Sequence, residues 1–124
     1  MKVYGIPNCS TVKKARAWLD AHSVAHEFVD FKRSPPAPAA LVAWVDALGW
    51  EALLNRRGTT WRQLPPAEQA RVVDAASAVT LMLTHPSAIK RPVVESGKEV
   101  LVGFDEAVWT ERFGDRRKGG RRAA

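Results

Sequence analysis

Cys9 is the residue with the clearest capacity for chemistry. It lies in Gly5-Ile6-Pro7-Asn8-Cys9-Ser10-Thr11-Val12-Lys13-Lys14, after a short apolar segment and at the start of a helical pattern. A helix N-terminus presents unpaired N–H groups and a partial positive charge, and both stabilise a thiolate, the nucleophilic form of cysteine. Lys13 and Lys14, one turn further on, add positive potential. The placement therefore predicts an acidic, reactive thiol rather than an inert buried one. Cys9 is the only cysteine, so the chain cannot close an internal disulfide, and no zinc site of several cysteines can form. His22, His26 and His85 lack metal-ligand spacing, and no metal is expected.

Such a thiol must be held by a strand and a helix, and the pattern supplies both. Lys2 to Gly5 reads as a first strand. Residues 11–22 have helical periodicity, with Val12, Ala15, Leu19 and His22 on one stripe and Trp18 beside it. His26 to Phe31 reads as a second strand, and Ser34-Pro35-Pro36-Ala37-Pro38 as a rigid connector. A helix over 39–48 would bury Leu41, Trp44, Val45 and Leu48 and end at Gly49. A short helix from Trp50 to Leu54 leads into a loop over 55–60. One helix over 68–84 would carry Val72, Ala76, Val79 and Leu83 at helical spacing, with Met82 alongside, and end at His85-Pro86. Val93-Val94 and Val100-Leu101-Val102 read as strands joined by a turn at Ser96-Gly97-Lys98-Glu99. Asp105 can cap a last helix that buries Val108, Trp109 and Phe113. The strand–helix–strand start predicts a parallel pair and the late hairpin an antiparallel one. The fold class is α/β: a mixed four-stranded sheet flanked by helices, with an inserted helical region. Trp18, Trp44, Trp50, Trp61 and Trp109 fit packing positions better than a stacking platform for bases.

The 124 residues suit one domain, over 1–114, with no repeats. The net charge of +6 is concentrated at the end, where Arg116, Arg117, Lys118, Arg121 and Arg122 face only Asp115. Residues 115–124 have no apolar side chain larger than Ala, so a disordered basic tail is expected and nucleic-acid binding is not. No apolar run reaches the roughly 20 residues that span a bilayer, and the start lacks a signal-peptide layout. The expectation is a monomeric cytoplasmic protein without a membrane partner.

Asn8-Cys9 followed by Lys13, together with Ile89-Lys90-Arg91-Pro92, resembles the ArsC-type reductases and their relatives. The run from Leu48 through Asn55, Arg57, Gly58, Thr59, Thr60 and Trp61 points to the YffB subgroup. So do Asp74-Ala75-Ala76-Ser77-Ala78 and Leu101-Val102-Gly103-Phe104. The resemblance covers residues 1 to about 113. It implies a thioredoxin-like fold, a catalytic Cys9, and a cis-proline at Pro92 facing the cysteine loop. It also implies that Asn8, Lys13, Arg57, Arg91 and Pro92 bind substrate or glutathione.

Two departures separate this chain from its relatives. Arsenate reductases of the family carry a later arginine where this chain has Gly103, which weakens a site for a tetrahedral oxyanion. Spx-type regulators usually carry Cys-x-x-Cys, and here the second position is Val12. The remaining expectation is a monothiol reductase with no bound cofactor and glutathione as co-substrate. Arsenate reduction, and an Spx-like adaptor that grips RNA polymerase without turnover, are the alternatives.

Overall fold

The computed structural model describes residues 1–114, and the expected tail over 115–124 lies outside them. The sheet has the order β2-β1-β3-β4, formed by β1 (Lys2–Gly5), β2 (Glu27–Asp30), β3 (Val93–Ser96) and β4 (Glu99–Val102). β1 runs parallel to β2 and antiparallel to β3, and β3 runs antiparallel to β4. The expected mixed sheet is present. Gly97, at φ +61°, makes the two-residue hairpin turn.

The two central strands are apolar on both faces because each face is covered. Val3 and Val94, paired across β1 and β3, join Ala15, Trp18, Leu19, Trp109 and Phe113 on one side. Tyr4 and Val93, the next pair, join Phe31, Leu41, Trp44 and Met82 on the other. Alternate residues of a strand point to opposite faces, so a continuous apolar run is what a doubly covered strand needs. The helix α1 (Ser10–Ala21) lies on the first face and buries Val12, Ala15, Trp18 and Leu19. Its first turn comes so close to β1 that a Cβ on Gly5 would meet Val12 Cγ2 at 2.8 Å. Glycine at position 5 is what lets the helix start against the strand end.

The second face is covered by the inserted helices: α2 (Pro38–Leu48), α3 (Trp50–Leu53), α4 (Thr59–Gln63), α5 (Pro66–Ala70) and α6 (Ala75–Thr84). Pro38 opens α2 at its first turn, where its missing N–H costs nothing. Three sequence expectations need correction here. Residues 68–84 are not one helix. Asp74 and Ser77 form a capping box that starts α6 afresh, so α5 ends at Ala70 and the buried stripe becomes Ala78, Leu81 and Met82, leaving Leu83 exposed. Thr59 and Thr60 begin α4 instead of closing a loop. Val108 faces solvent, while Trp109 and Phe113 are buried as expected. The last helix α7 (Glu106–Trp109) is capped by Asp105, which accepts from the Val108 N–H at 3.2 Å, and continues into one π turn over Thr110–Gly114.

One polar group ties the layers together. The Glu95 carboxylate on β3 accepts from Tyr4 Oη at 2.6 Å and from Trp44 Nε1 at 2.7 Å, which joins β1, β3 and α2. Burial, the bond to Glu95 and the charges of Glu95 and Glu27 push the Tyr4 phenol well above its usual range. Glu95→Leu is expected to lower the unfolding free energy by about 1–3 kcal/mol for each donor left without an acceptor. Glu95→Gln should cost less, because its amide oxygen still serves Trp44 and its amide nitrogen can donate to the Tyr4 hydroxyl. Denaturant unfolding of the two variants checks this; equal losses would show that the network does not hold the layers.

Candidate active site

Cys9 occupies the N-cap of α1, with φ −82° and ψ 125°, and its carbonyl accepts the first helical bond from the Lys13 N–H at 2.9 Å. The loop before it is closed by Cys9 N–H donating to the Ile6 carbonyl at 3.2 Å. The thiol makes no side-chain capping bond. It is half-buried, and its pKa lies below the ordinary value. Burial alone would push it up; the nearby Val12 amide, the Arg91 side chain, the Thr11 amide and the Arg91 charge together outweigh that effect. The helix-terminus argument thus meets its mechanism in two named amides, with a guanidinium from across the sheet added to them.

Arg91 is held for that task. Its Nη1 donates to the Ser87 carbonyl at 2.7 Å and to the Ile89 carbonyl at 3.3 Å, which fixes the guanidinium from behind. Its Nε is buried and without a hydrogen-bond partner among the described residues. The bond between Arg91 and Pro92 is cis, as the resemblance to the ArsC-type reductases implies. The Pro92 carbonyl accepts from the Gly103 N–H at 2.8 Å, which brings the end of β4 to the same place.

These groups line a cleft of about 490 Å³ formed by Cys9, Thr11, Asn55, Lys90, Arg91, Val102, Gly103, Phe104 and Asp105. A neighbouring recess of about 460 Å³ is lined by Glu51, Ala52, Leu54, Asn55, Arg56, Arg57 and Lys90. Of the residues singled out from the sequence, Cys9 and Arg91 line the same cleft. Arg57 lines the adjoining recess, where its N–H donates to Asn55 Oδ1 at 3.1 Å. Arg56 is engaged elsewhere, paired with Glu51 at 3.5 Å and lying over the Trp50 ring at 5.2 Å. Asn8 and Lys13 are exposed and lie outside the cleft lining, and Arg91 is among the groups that lower the Cys9 pKa. Sequence reasoning passed over Asn55 and Lys90. They reach the cleft because segment 53–55 pairs with segment 88–90: Asn55 N–H donates to the Ala88 carbonyl at 2.8 Å and Lys90 N–H to the Leu53 carbonyl at 2.7 Å. No local pattern signals that pairing.

Fold and site together define a thioredoxin-like α/β protein whose one cysteine starts a helix and shares a cleft with Arg91, next to a cis Arg91–Pro92 bond. The chain matches the ArsC family model over residues 4–112 and belongs to the ArsC family. Its fold is similar to that of a solved YffB protein, with a TM-score of 0.85 at 46% identity, covering 89% of this chain and 96% of that one. It is also similar to an arsenate reductase (ArsC) related protein from Brucella melitensis, with a TM-score of 0.72 at 45% identity over 90% of this chain and 92% of that one. An uncharacterized protein of Haemophilus influenzae is 37% identical over 112 residues, which is 90% of this chain and 96% of the relative. The global transcriptional regulator Spx of Streptococcus agalactiae is 29% identical over 102 residues, 81% of this chain and 73% of the regulator. No helix among the described residues is long and apolar enough to cross a membrane.

Proposed function

We propose that this protein is a glutathione-dependent monothiol reductase. The observation that carries the reading is an activated Cys9 in an open cleft of a chain that has no second cysteine. The Cys9 thiolate attacks the glutathione sulfur of a mixed disulfide RSSG. A Cys9–SG disulfide forms, and RS⁻ leaves to take a proton from water. With no internal thiol to resolve that intermediate, an external one must attack it. Glutathione thiolate attacks the glutathione sulfur bound to Cys9, giving GSSG and regenerating the Cys9 thiolate, so the net reaction is RSSG + GSH → RSH + GSSG. Arg91 has two roles. It lowers the thiol pKa, and with Arg57 in the adjoining recess it offers guanidinium groups to the two carboxylates of glutathione. The peptide backbone of glutathione lies beside Pro92, as extended peptides do at strand ends.

Arsenate suits the site less well. Position 103 is a glycine at φ +79°, a conformation that disfavours an arginine there, and the cleft accordingly has one guanidinium instead of two. The adaptor alternative rests on the Spx relative, but no observation of the cleft favours it over turnover. The test is reduction of a glutathionylated peptide with glutathione as the only reductant. Turnover is the expected result. Its absence, together with stable RNA polymerase capture by both wild type and Cys9→Ser, would favour the adaptor.

A further inference from the structure

The cleft and the recess beside it share two side chains, Asn55 and Lys90. Lys90 is the one that carries charge, and its surroundings explain its position. Its backbone is pinned by the bond from Lys90 N–H to the Leu53 carbonyl, immediately before the Arg91–Pro92 peptide. Its side chain runs over Gly103. A Cβ on Gly103 would meet Lys90 Cε at 3.4 Å and Nζ at 3.9 Å. The Lys90 side chain therefore lies in van der Waals contact with the position a Cβ at 103 would take. The backbone of Gly103, at φ +79°, disfavours any side chain there in the first place.

Among the described residues, the ion pairs do not include Lys90. The acid that lines the same cleft, Asp105, is tied to the Val108 N–H, and the ion pairs described for this chain join Arg56 to Glu51 and Arg112 to Glu99. Arg91, the other cation of the cleft, already has Nη1 bound to two carbonyls. An ammonium is a point charge on a flexible stem. It can follow one carboxylate oxygen but lacks the planar fork that grips a tetrahedral oxyanion at two points.

We propose that Lys90, shared by the Cys9 cleft and the Arg57 recess, makes the Cys9 site selective for carboxylate-bearing thiols. Lying between the Cys9 cleft and the Arg57 recess, its ammonium receives a carboxylate of the ligand as the ligand spans the two. This inference rests on the glutathione reading and adds the residue that sets ligand class.

The test is an NMR titration of the whole protein with S-methylglutathione and with its dimethyl ester, for wild type, Lys90→Met and Lys90→Arg. Losing a charge-assisted contact of this kind typically weakens binding roughly tenfold. Lys90→Met is expected to bind the free acid about tenfold more weakly than wild type and the diester within about twofold, with Lys90→Arg recovering most of the difference. Equal affinity of wild type and Lys90→Met for the free acid would overturn the inference and leave the glutathione reading standing. Equal losses for acid and diester would make Lys90 a structural residue and overturn it too. Failure of wild type to bind S-methylglutathione at all would remove the glutathione reading, and this inference with it.

Discussion

Cys9→Ser is expected to abolish turnover of glutathionylated peptide down to the uncatalysed background. A serine hydroxyl is not ionised near neutral pH, and no base in the cleft is placed to activate it; the cleft's carboxylate, Asp105, is a helix cap. The fold is expected to survive. Cys9 is half-buried and makes no side-chain capping bond, so little packing or hydrogen bonding is lost. Serine is itself a preferred N-cap residue, and a new bond from its hydroxyl to the amides of α1 can raise stability by up to about 1 kcal/mol. The pairing of lost activity with equal or higher stability separates a missing nucleophile from a damaged fold. Residual turnover close to that of wild type would show that another group carries the reaction.

Arg91→Ala is expected to have the second largest effect, on two readouts at once. Burial pushes the Cys9 pKa up, and the Arg91 guanidinium is among the groups beside the thiol that bring it below its ordinary value. In wild type the alkylation rate should level off with rising pH at a midpoint below the roughly 8.5 of free cysteine. In Arg91→Ala the midpoint should move up, because burial keeps its effect and only the Val12 and Thr11 amides still oppose it. A group whose folded-state pKa is depressed is ionised over a wider range of pH. The variant should therefore lose most reactivity at neutral pH and recover part of it in alkali. Glutathione affinity should fall by about tenfold or more, as expected for a lost charge-assisted contact to a carboxylate. Stability should fall modestly, since the Ser87 and Ile89 carbonyls lose their shared donor. An unchanged alkylation midpoint would show that the guanidinium does not act on the thiol. Arg91→Lys should restore only part of either effect, because a single ammonium cannot hold both carbonyls and still face the sulfur.

What could be read from the sequence was what local pattern encodes. Cys9 at a strand-to-helix junction, Asp105 as a helix cap, the hairpin turn at Gly97 and the apolar runs of β1 and β3 are each written within a few neighbouring residues. The division of 68–84 was also local, in Asp74 and Ser77, but helical spacing of Val72, Ala76 and Val79 across the break concealed it. The site divides in the same way. Arg91 and Pro92 were legible only through resemblance to a family, since nothing within the chain's own pattern says that they meet Cys9. Lys13 is a different case: closeness in sequence suggests a partner for the thiol, while in the structure its side chain is exposed outside the cleft lining and Arg91, 82 positions from Cys9, lines the cleft with it. Asn55 and Lys90 depend on the pairing of segments 53–55 and 88–90, a tertiary contact made only once the inserted helices pack.

Gly103 lines the cleft and lies against the Lys90 side chain. Its positive φ and the Lys90 stem above it make Gly103→Arg a poor way to install oxyanion reduction, since the new side chain would meet both backbone strain and a neighbouring cation.

The most direct measurement is intact-mass analysis of the whole protein after incubation with oxidised glutathione, followed by addition of reduced glutathione. The expected result is one glutathionyl adduct per chain in wild type, none in Cys9→Ser, and its complete removal by glutathione alone. An unmodified wild-type chain, or an adduct that glutathione cannot remove, would contradict a monothiol cycle resolved by glutathione.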